Sequence, residues 1–275
     1  MNTQQVILIT GASAGIGKAS AEQFIKEGHL VYGAARRLEN MQDLVDAGGH
    51  AIAMDITKEE EINTTVQQII DEQGRIDVLI NNAGYAIYGS VEDIPLHEAR
   101  RQFDVNIFGL AAITKEVIPY MREAKKGKIV NVSSVGGKIY TPLGAWYHAT
   151  KHALEGWSDC LRLELQSFGI DVVIVEPGAI KTEFGDVMHG PMMKYSGEGD
   201  YKDLATKMAG LLSTSYKDPK QTSPPSVIAD VMSDIVKTDK PKTRYAAGKL
   251  ASQLLFFRKY FSDRFFDRTI MSQIK

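Results

Sequence analysis

The chain holds a single cysteine, Cys160, among 275 residues. That excludes an internal disulfide framework and suits a reducing compartment. Neither sign of charge dominates: 32 Lys and Arg stand against 34 Asp and Glu, a formal net charge of −2. A nucleic-acid-binding surface needs a basic excess, so no nucleic-acid partner is expected. No apolar run reaches the roughly 18 residues of a membrane-spanning helix. Met1-Asn2-Thr3-Gln4-Gln5 lacks the basic and long apolar parts of a signal peptide. A cytoplasmic protein with no integral membrane segment is therefore expected. The histidines fall at no metal-ligand spacing, so no metal is expected. Repeats, low-complexity tracts and linkers are absent too, which leaves one domain over residues 1–275.

What is present is an alternation of short apolar runs and longer amphipathic stretches. Val6–Thr10, Leu30–Ala35, His50–Met54, Ile76–Asn81, Lys128–Ser133 and Ile170–Glu176 read as strands, with a last one around Tyr245. Ile16–Glu27, Asn40–Ala47, Lys58–Gln73, Leu96–Glu123 and Ala145–Phe168 read as helices. Strands alternating with helices predict an α/β fold: a parallel sheet with helices on both faces. Residues 183–222, with Pro191 and Pro219 among many polar residues, break the rhythm and read as a loop-like substrate lid. Residues 250–275 place Leu250, Leu254, Phe257, Phe261 and Phe265 at helical spacing. This amphipathic segment is expected to pack on the protein's own core or pocket rim. A subunit interface or a transient membrane-surface contact are the alternatives.

Thr10-Gly11-Ala12-Ser13-Ala14-Gly15-Ile16-Gly17 joins the first strand to the first helix. Small residues let the backbone approach a pyrophosphate, and the helix N-terminus offers free N–H groups to it. The spacing is G-x-x-x-G-x-G, not the G-x-G-x-x-G of the usual dinucleotide fingerprint. The second strand ends at Arg36-Arg37 with no acid beside them. An acid there binds a ribose 2′-OH, whereas arginine accommodates a 2′-phosphate, so NADP(H) is the expected cofactor. Asp55-Ile56 ends the third strand, where an adenine edge would lie. Asn81-Asn82-Ala83-Gly84 follows the fourth. Taken singly, these are also ordinary turn chemistry.

Tyr147 and Lys151 stand four apart at the start of a predicted helix and share one face. An ammonium near a phenol favours the phenolate and brings it toward the pH at which acid/base catalysis works. The spacing alone is weak, because Tyr216…Lys220 and Tyr245…Lys249 share it. Only Tyr147 has a serine, Ser134, 13 residues upstream at a strand end. His148 and Cys160 read as structural, with Cys160 inside a helix and buried.

These elements, in this order, resemble the short-chain dehydrogenase/reductase family. The resemblance spans about residues 5–185 and rests on Thr10–Gly17, Asp55, Asn81–Gly84, Asn106, Ser134, Tyr147, Lys151 and Pro177-Gly178. It implies a single-domain, doubly wound Rossmann fold with a seven-stranded sheet. Tyr147 would be the general acid in reduction or the base in oxidation. Lys151 would lower its pKa and hold the nicotinamide ribose. Ser134 would polarise the substrate carbonyl, and Asn106 would hold a water in a proton relay. Gly11, Ser13, Gly15, Ile16, Gly17, Arg36, Arg37, Asp55, Ile56, Asn82, Ala83 and Gly84 would contact the cofactor. Pro177, Gly178, Ile180 and Thr182 would lie on its nicotinamide side. The basic residue that NADP-preferring relatives often carry inside the glycine turn is missing, so the NADP(H) expectation rests on Arg36 and Arg37. Homodimers or homotetramers are implied as well, through Leu96–Glu123 and Ala145–Phe168.

The pocket is expected between Tyr85–Tyr88, Val135–Trp146 and the lid, with Ile87, Ile139, Leu143, Trp146, Met188, Met192 and Met193 supplying apolar surface. A hydrophobic ketone, aldehyde or secondary alcohol fits such a lining, as in the steroid- and retinoid-active branch. Two other readings are a non-catalytic NADP-binding regulator and a sugar-nucleotide epimerase or dehydratase. The intact Ser134–Tyr147–Lys151 set opposes the first, and the glycine spacing opposes the second.

Overall fold

A computed structural model of the chain describes residues 4–218 and 220–274. Met1–Thr3, which open the expected leaderless N-terminus, Pro219 of the lid and Lys275 lie outside the described residues. In chain order the elements are β1 (Val6–Thr10), α1 (Gly15–Lys26), β2 (Leu30–Ala35), α2 (Gln42–Asp46), β3 (His50–Ala53), α3 (Glu59–Gln73), β4 (Val78–Asn81), α4 (Leu96–Phe103) and α5 (Leu110–Glu123). There follow β5 (Gly127–Val132), α6 (Ala145–Leu165), β6 (Ile170–Pro177), α7 (Phe184–Ser196), α8 (Lys202–Lys217), α9 (Ser226–Lys237), β7 (Arg244–Ala247), α10 (Ala251–Tyr260) and α11 (Asp263–Ser272).

The strands form one seven-stranded sheet in the order β3-β2-β1-β4-β5-β6-β7, every pair parallel. β1 is buried throughout because both faces are covered. Ile7 and Ile9 pack with Phe24, Ile228 and Met232 on one side. Val6 and Leu8 pack with Ile62, Ile69 and Val117 on the other. Continuous apolar strands are what two covered faces require. The fold is the doubly wound one that the resemblance implies.

The strand order reverses between β1 and β4. In such sheets the ligand crevice lies outside the carboxyl ends of the strands at that reversal. The glycine turn after β1 and Asn82–Gly84 after β4 both lie there.

Leu96–Glu123 is helical throughout, as expected, but between α4 and α5 it passes through a π-helical segment, Asp104–Gly109, that carries Asn106. Two expectations need correction. Residues 183–222 are largely helical rather than loop-like. Met188 and Met192 recur at helical spacing on α7, as do Ala205, Met208 and Ala209 on α8, and these bury one face of each helix. Gly185, Gly190, Pro191 and Gly197 dilute that pattern in the sequence. Cys160 is exposed, because the buried face of α6 runs through Tyr147, Lys151, Leu154, Ser158 and Leu161.

Candidate active site

The cofactor cleft is built first by close approach. Gly11 has φ +69°, and a Cβ there would lie 2.8 Å from Ala83 Cα. A Cβ at Gly17 would collide with the Asn82 side chain and the Gly11 carbonyl. Asn82 Nδ2 donates to the carbonyls of Thr10 and Gly11, both at 3.1 Å. Thr10 Oγ1 accepts from the N–H groups of Asn82 and Ala83 at 3.1 and 3.0 Å. The two loops are thus locked together. α1 starts at Gly15 with no side-chain cap and no acid in its first turn. Its leading N–H groups are open to an anion, so the residues present fit a dinucleotide pyrophosphate.

Arg36 and Arg37 are exposed at the end of β2. Arg37 Nη2 lies 3.9 Å from Glu183 Oε2, where the lid begins. Asp55 Oδ1 accepts from the N–H and hydroxyl of Thr57 at 3.0 and 2.8 Å. Burial raises its pKa, but the Thr57 bonds, with Arg36 and Lys58, more than offset that and hold the carboxyl below its ordinary range. Ile56 beside it is buried. On the far side of the cleft, the Thr182 methyl would lie 3.1 Å from a Cβ at Gly15. Gly178 N–H donates to Ala247 O at 2.8 Å, which ties the segment after Pro177 to β7. Ile180 is buried there.

The second group of residues gathers around Tyr147. Tyr147 is 7% exposed. Ser134 follows β5, and its Oγ accepts from Gly136 N–H at 2.9 Å. Lys151, one turn along α6 from Tyr147, is also buried and donates from Nζ to Val132 O at 2.8 Å. Asn106 is pinned in three ways. Its Oδ1 accepts from Tyr85 N–H at 3.1 Å, and its Nδ2 donates to Tyr85 O at 2.9 Å and to Thr150 Oγ1 at 3.1 Å.

Burial governs the titration of this group. It raises the Tyr147 phenol well above a free phenol, while a hydrogen bond with Ser134 works the other way and Tyr88 and Tyr216 add to the rise. That direction is opposite to the one expected from a nearby ammonium. Burial also lowers Lys151 to about 8, against the pull of Glu155. Both groups are pushed toward their neutral forms because a low-dielectric site penalises charge.

His148 is not a bystander. Thr141 N–H donates to its Nε2 at 3.1 Å, so Nε2 accepts and the hydrogen sits on Nδ1. Nδ1 in turn donates to Gly136 O at 2.9 Å. Burial lowers its pKa to about 4, so the ring stays neutral at ordinary pH. His148 thereby ties both ends of the loop after Ser134 to α6.

Residues of α7 and α8, within the segment expected to be a lid, pack against Tyr147. Tyr88, Leu143, Met188, Met192 and Met208 form one apolar cluster with it, and Phe184, Met193 and Tyr216 pack against that cluster. The rings of Phe184 and Tyr88 lie 5.5 and 6.0 Å from that of Tyr147. Tyr88 falls in the expected Tyr85–Tyr88 pocket segment, whereas nothing in the sequence marked Phe184 or Tyr216 as neighbours of Tyr147. Two expected pocket residues are elsewhere. Trp146 lines a surface groove with Leu96, Phe103 and Phe108, because its neighbour Tyr147 takes the inward direction. Ile139 packs with Val135, Ala251 and Phe266 under the C-terminal helices. In those helices the buried aromatic is Phe266, while Phe261 and Phe265, expected on the packed face, are exposed.

Residues 5–189 match the family described as short chain dehydrogenase. The chain is 38% identical over 253 residues to a 3-ketodihydrosphingosine reductase of Bacteroides thetaiotaomicron, covering 92% of this chain and 90% of that one. It is 32% identical over 282 residues to an NADPH-dependent 3-dehydrocapnine reductase of Ornithobacterium rhinotracheale, covering 98% and 96%. Among solved structures, a short-chain dehydrogenase from Streptomyces avermitilis superposes with a TM-score of 0.82 at 36% identity, covering 93% and 92%.

Proposed function

The chain belongs to the short chain dehydrogenase family, and from that premise we propose that it is an NADP(H)-dependent enzyme interconverting a hydrophobic ketone or aldehyde and its alcohol. The observation that carries this reading is the buried Tyr147 phenol, paired with a Ser134 that works against the rise in its pKa and lying one turn along α6 from the buried Lys151. A regulator that only bound the cofactor would have no need of that pair.

NADPH, when bound, supplies the hydride. Gly11, Ser13, Gly15, Ile16 and Gly17 would hold its pyrophosphate, and Arg36 and Arg37 would take the 2′-phosphate. Asp55 and Ile56 would border the adenine, Asn82, Ala83 and Gly84 the middle of the cofactor, and Pro177, Gly178, Ile180 and Thr182 the nicotinamide. Ser134 donates a hydrogen bond to the substrate carbonyl oxygen, stabilising the negative charge that develops there. Tyr147 donates its phenolic proton to the same oxygen, or accepts one from the alcohol in the reverse direction. The Lys151 ammonium offsets the resulting phenolate and holds the ribose. Asn106 holds a water that refills the proton.

The substrate is a ketone on a long alkyl chain. The apolar lid supports this, since Met side chains adapt to a flexible chain. So do the two relatives, one named for 3-ketodihydrosphingosine and the other for 3-dehydrocapnine. They favour a long-chain lipid over the steroid or retinoid that the apolar lining first suggested. The test is NADPH oxidation by the purified protein with 3-ketodihydrosphingosine and with a steroid ketone. Turnover of the steroid alone overturns the substrate class, and turnover of neither across a broad carbonyl panel overturns the enzyme reading.

The enzyme is cytoplasmic and a homodimer or homotetramer. A groove of about 470 Å³ on α4 and the start of α6 is lined by Leu96, Phe103, Phe108 and Trp146. Phe108 is 63% exposed, and Trp146 Nε1 has no hydrogen-bond partner among the described residues. A second copy covers this face.

A further inference from the structure

We propose that α10 and α11 seat the protein on the surface of an anionic lipid bilayer, next to the apolar cluster around Tyr147. The inner face of this helix pair is accounted for. Ala251 and Phe266 pack on Val135 and Ile139 of the loop after β5. Ile270 and Ile274 reach the cluster around Tyr147.

The outer face is not accounted for by the protein itself. Phe256, Tyr260, Phe261 and Phe265 are 57%, 62%, 39% and 42% exposed. Their rings form two contacting pairs: Phe256 lies 4.7 Å from Tyr260, and Phe261 lies 4.9 Å from Phe265. Singly exposed apolar side chains need no explanation, but four exposed aromatic rings grouped in pairs along two successive helices mark a contact surface. Aromatic rings with cations beside them are the chemistry that settles at the boundary of headgroups and acyl chains.

Charge selects the occupant. Residues 249–274 carry five Lys and Arg and only two Asp, in a chain whose net charge is −2. Both aspartates are turned to neighbours. Asp263 pairs with Arg258 at 2.8 Å, and Asp267 accepts from Tyr140 Oη at 2.9 Å. Lys259, Arg264 and Arg268 are exposed, with no ion-pair partner among the described residues. A second copy of the same face would set cations against cations. An anionic bilayer complements them, and its interface accepts the rings between them. No described helix is long and apolar enough to cross a membrane, so the contact is peripheral. A long-chain substrate could then enter the adjacent site without crossing water, although the surface itself requires no catalysis.

Flotation tests this with the full-length protein. It is mixed with vesicles of phosphatidylcholine alone or of phosphatidylcholine with phosphatidylglycerol. Flotation with the anionic vesicles only is expected, and about 0.5 M salt should release most of the protein. The triple variant Lys259→Glu, Arg264→Glu and Arg268→Glu should lower the floating fraction about tenfold. Replacing Phe256, Tyr260, Phe261 and Phe265 by Ser should do the same. Both variants should still melt cooperatively and turn over a water-soluble ketone. The proposal is overturned if the wild type stays unbound with anionic vesicles, or if charge reversal leaves flotation unchanged. It is overturned equally if the aromatic variant dissociates an oligomer while the wild type ignores vesicles. Flotation by a protein that reduces no ketone upholds the surface and fails the activity assignment.

Discussion

Lys151 spends one of its three ammonium donors on the main-chain carbonyl of Val132, at 2.8 Å in a buried setting. The bond fixes the end of β5 to α6, and Ser134 begins two residues later. The strand that delivers Ser134 and the helix that delivers Tyr147 are therefore joined by the lysine that lies between them in function.

Burial lowers Lys151 to about 8 from an ordinary 10.5. Below about 8 the lysine is charged in both folded and unfolded chains and contributes no pH slope. Between 8 and 10.5 the unfolded chain binds more protons, so raising the pH favours the folded state. The stability of the wild type relative to Lys151→Met should rise through that window by about 3 kcal/mol at most. Denaturant melts at several pH values measure it. A difference that stays flat or falls contradicts the burial of the charge.

Catalytic pH dependence follows from the phenol. In the proposed mechanism, carbonyl reduction uses Tyr147 protonated, and alcohol oxidation uses it ionised. Because burial raises its pKa, reduction rates should be nearly flat from about pH 5 to 7, below the pH near 8 at which Lys151 loses its charge. Oxidation should climb about tenfold per unit over the same range. Initial rates in both directions check this. A fall in reduction beginning below about pH 7, where Lys151 is still charged, would mean that the phenol ionises early.

His148 holds Gly136 O and Thr141 N–H together. His148→Ala leaves both groups unpaired inside the protein, a cost of about 1–3 kcal/mol. If that loosens the loop bearing Ser134, kcat falls about tenfold to a hundredfold while the NADPH dissociation constant barely moves. His148→Gln, which keeps an acceptor for Thr141, should recover part of the loss. Equal loss in both variants, or lost NADPH binding, contradicts the positioning role.

Arg36 and Arg37 are the exposed cations at the end of β2. Replacing both by Ala should weaken NADPH about tenfold to a hundredfold, as the loss of charge-assisted bonds to a phosphate requires. NADH should change little. Titration by fluorescence with both cofactors decides it, and equal weakening contradicts the 2′-phosphate assignment.

The sheet was legible in the sequence because strands covered on both faces leave unbroken apolar runs, as Val6–Ile9 and Val172–Val175 do. The cofactor turn was legible because close backbone approach demands small residues at Gly11 and Gly17. The lid was not. Its helices bury Met188, Met192 and Met208, but glycine, proline and polar residues between them mask the period. The direction of the Tyr147 shift was also out of reach. Sequence spacing puts Lys151 near the tyrosine, whereas desolvation by Tyr88, Phe184 and Tyr216 depends on packing from distant segments. Cys160 and Trp146 were misplaced for a related reason: a helix position is inward or outward only relative to the face that α6 presents to the sheet.

The most direct test compares the wild type with Tyr147→Phe, following NADPH absorbance with 3-ketodihydrosphingosine and, separately, NADPH binding by titration. The account predicts turnover in the wild type, a loss of about a hundredfold or more in the variant, and NADPH affinity nearly unchanged. A variant that keeps turning over the ketone, with its cofactor bound as before, would contradict the assignment of Tyr147 as the proton donor.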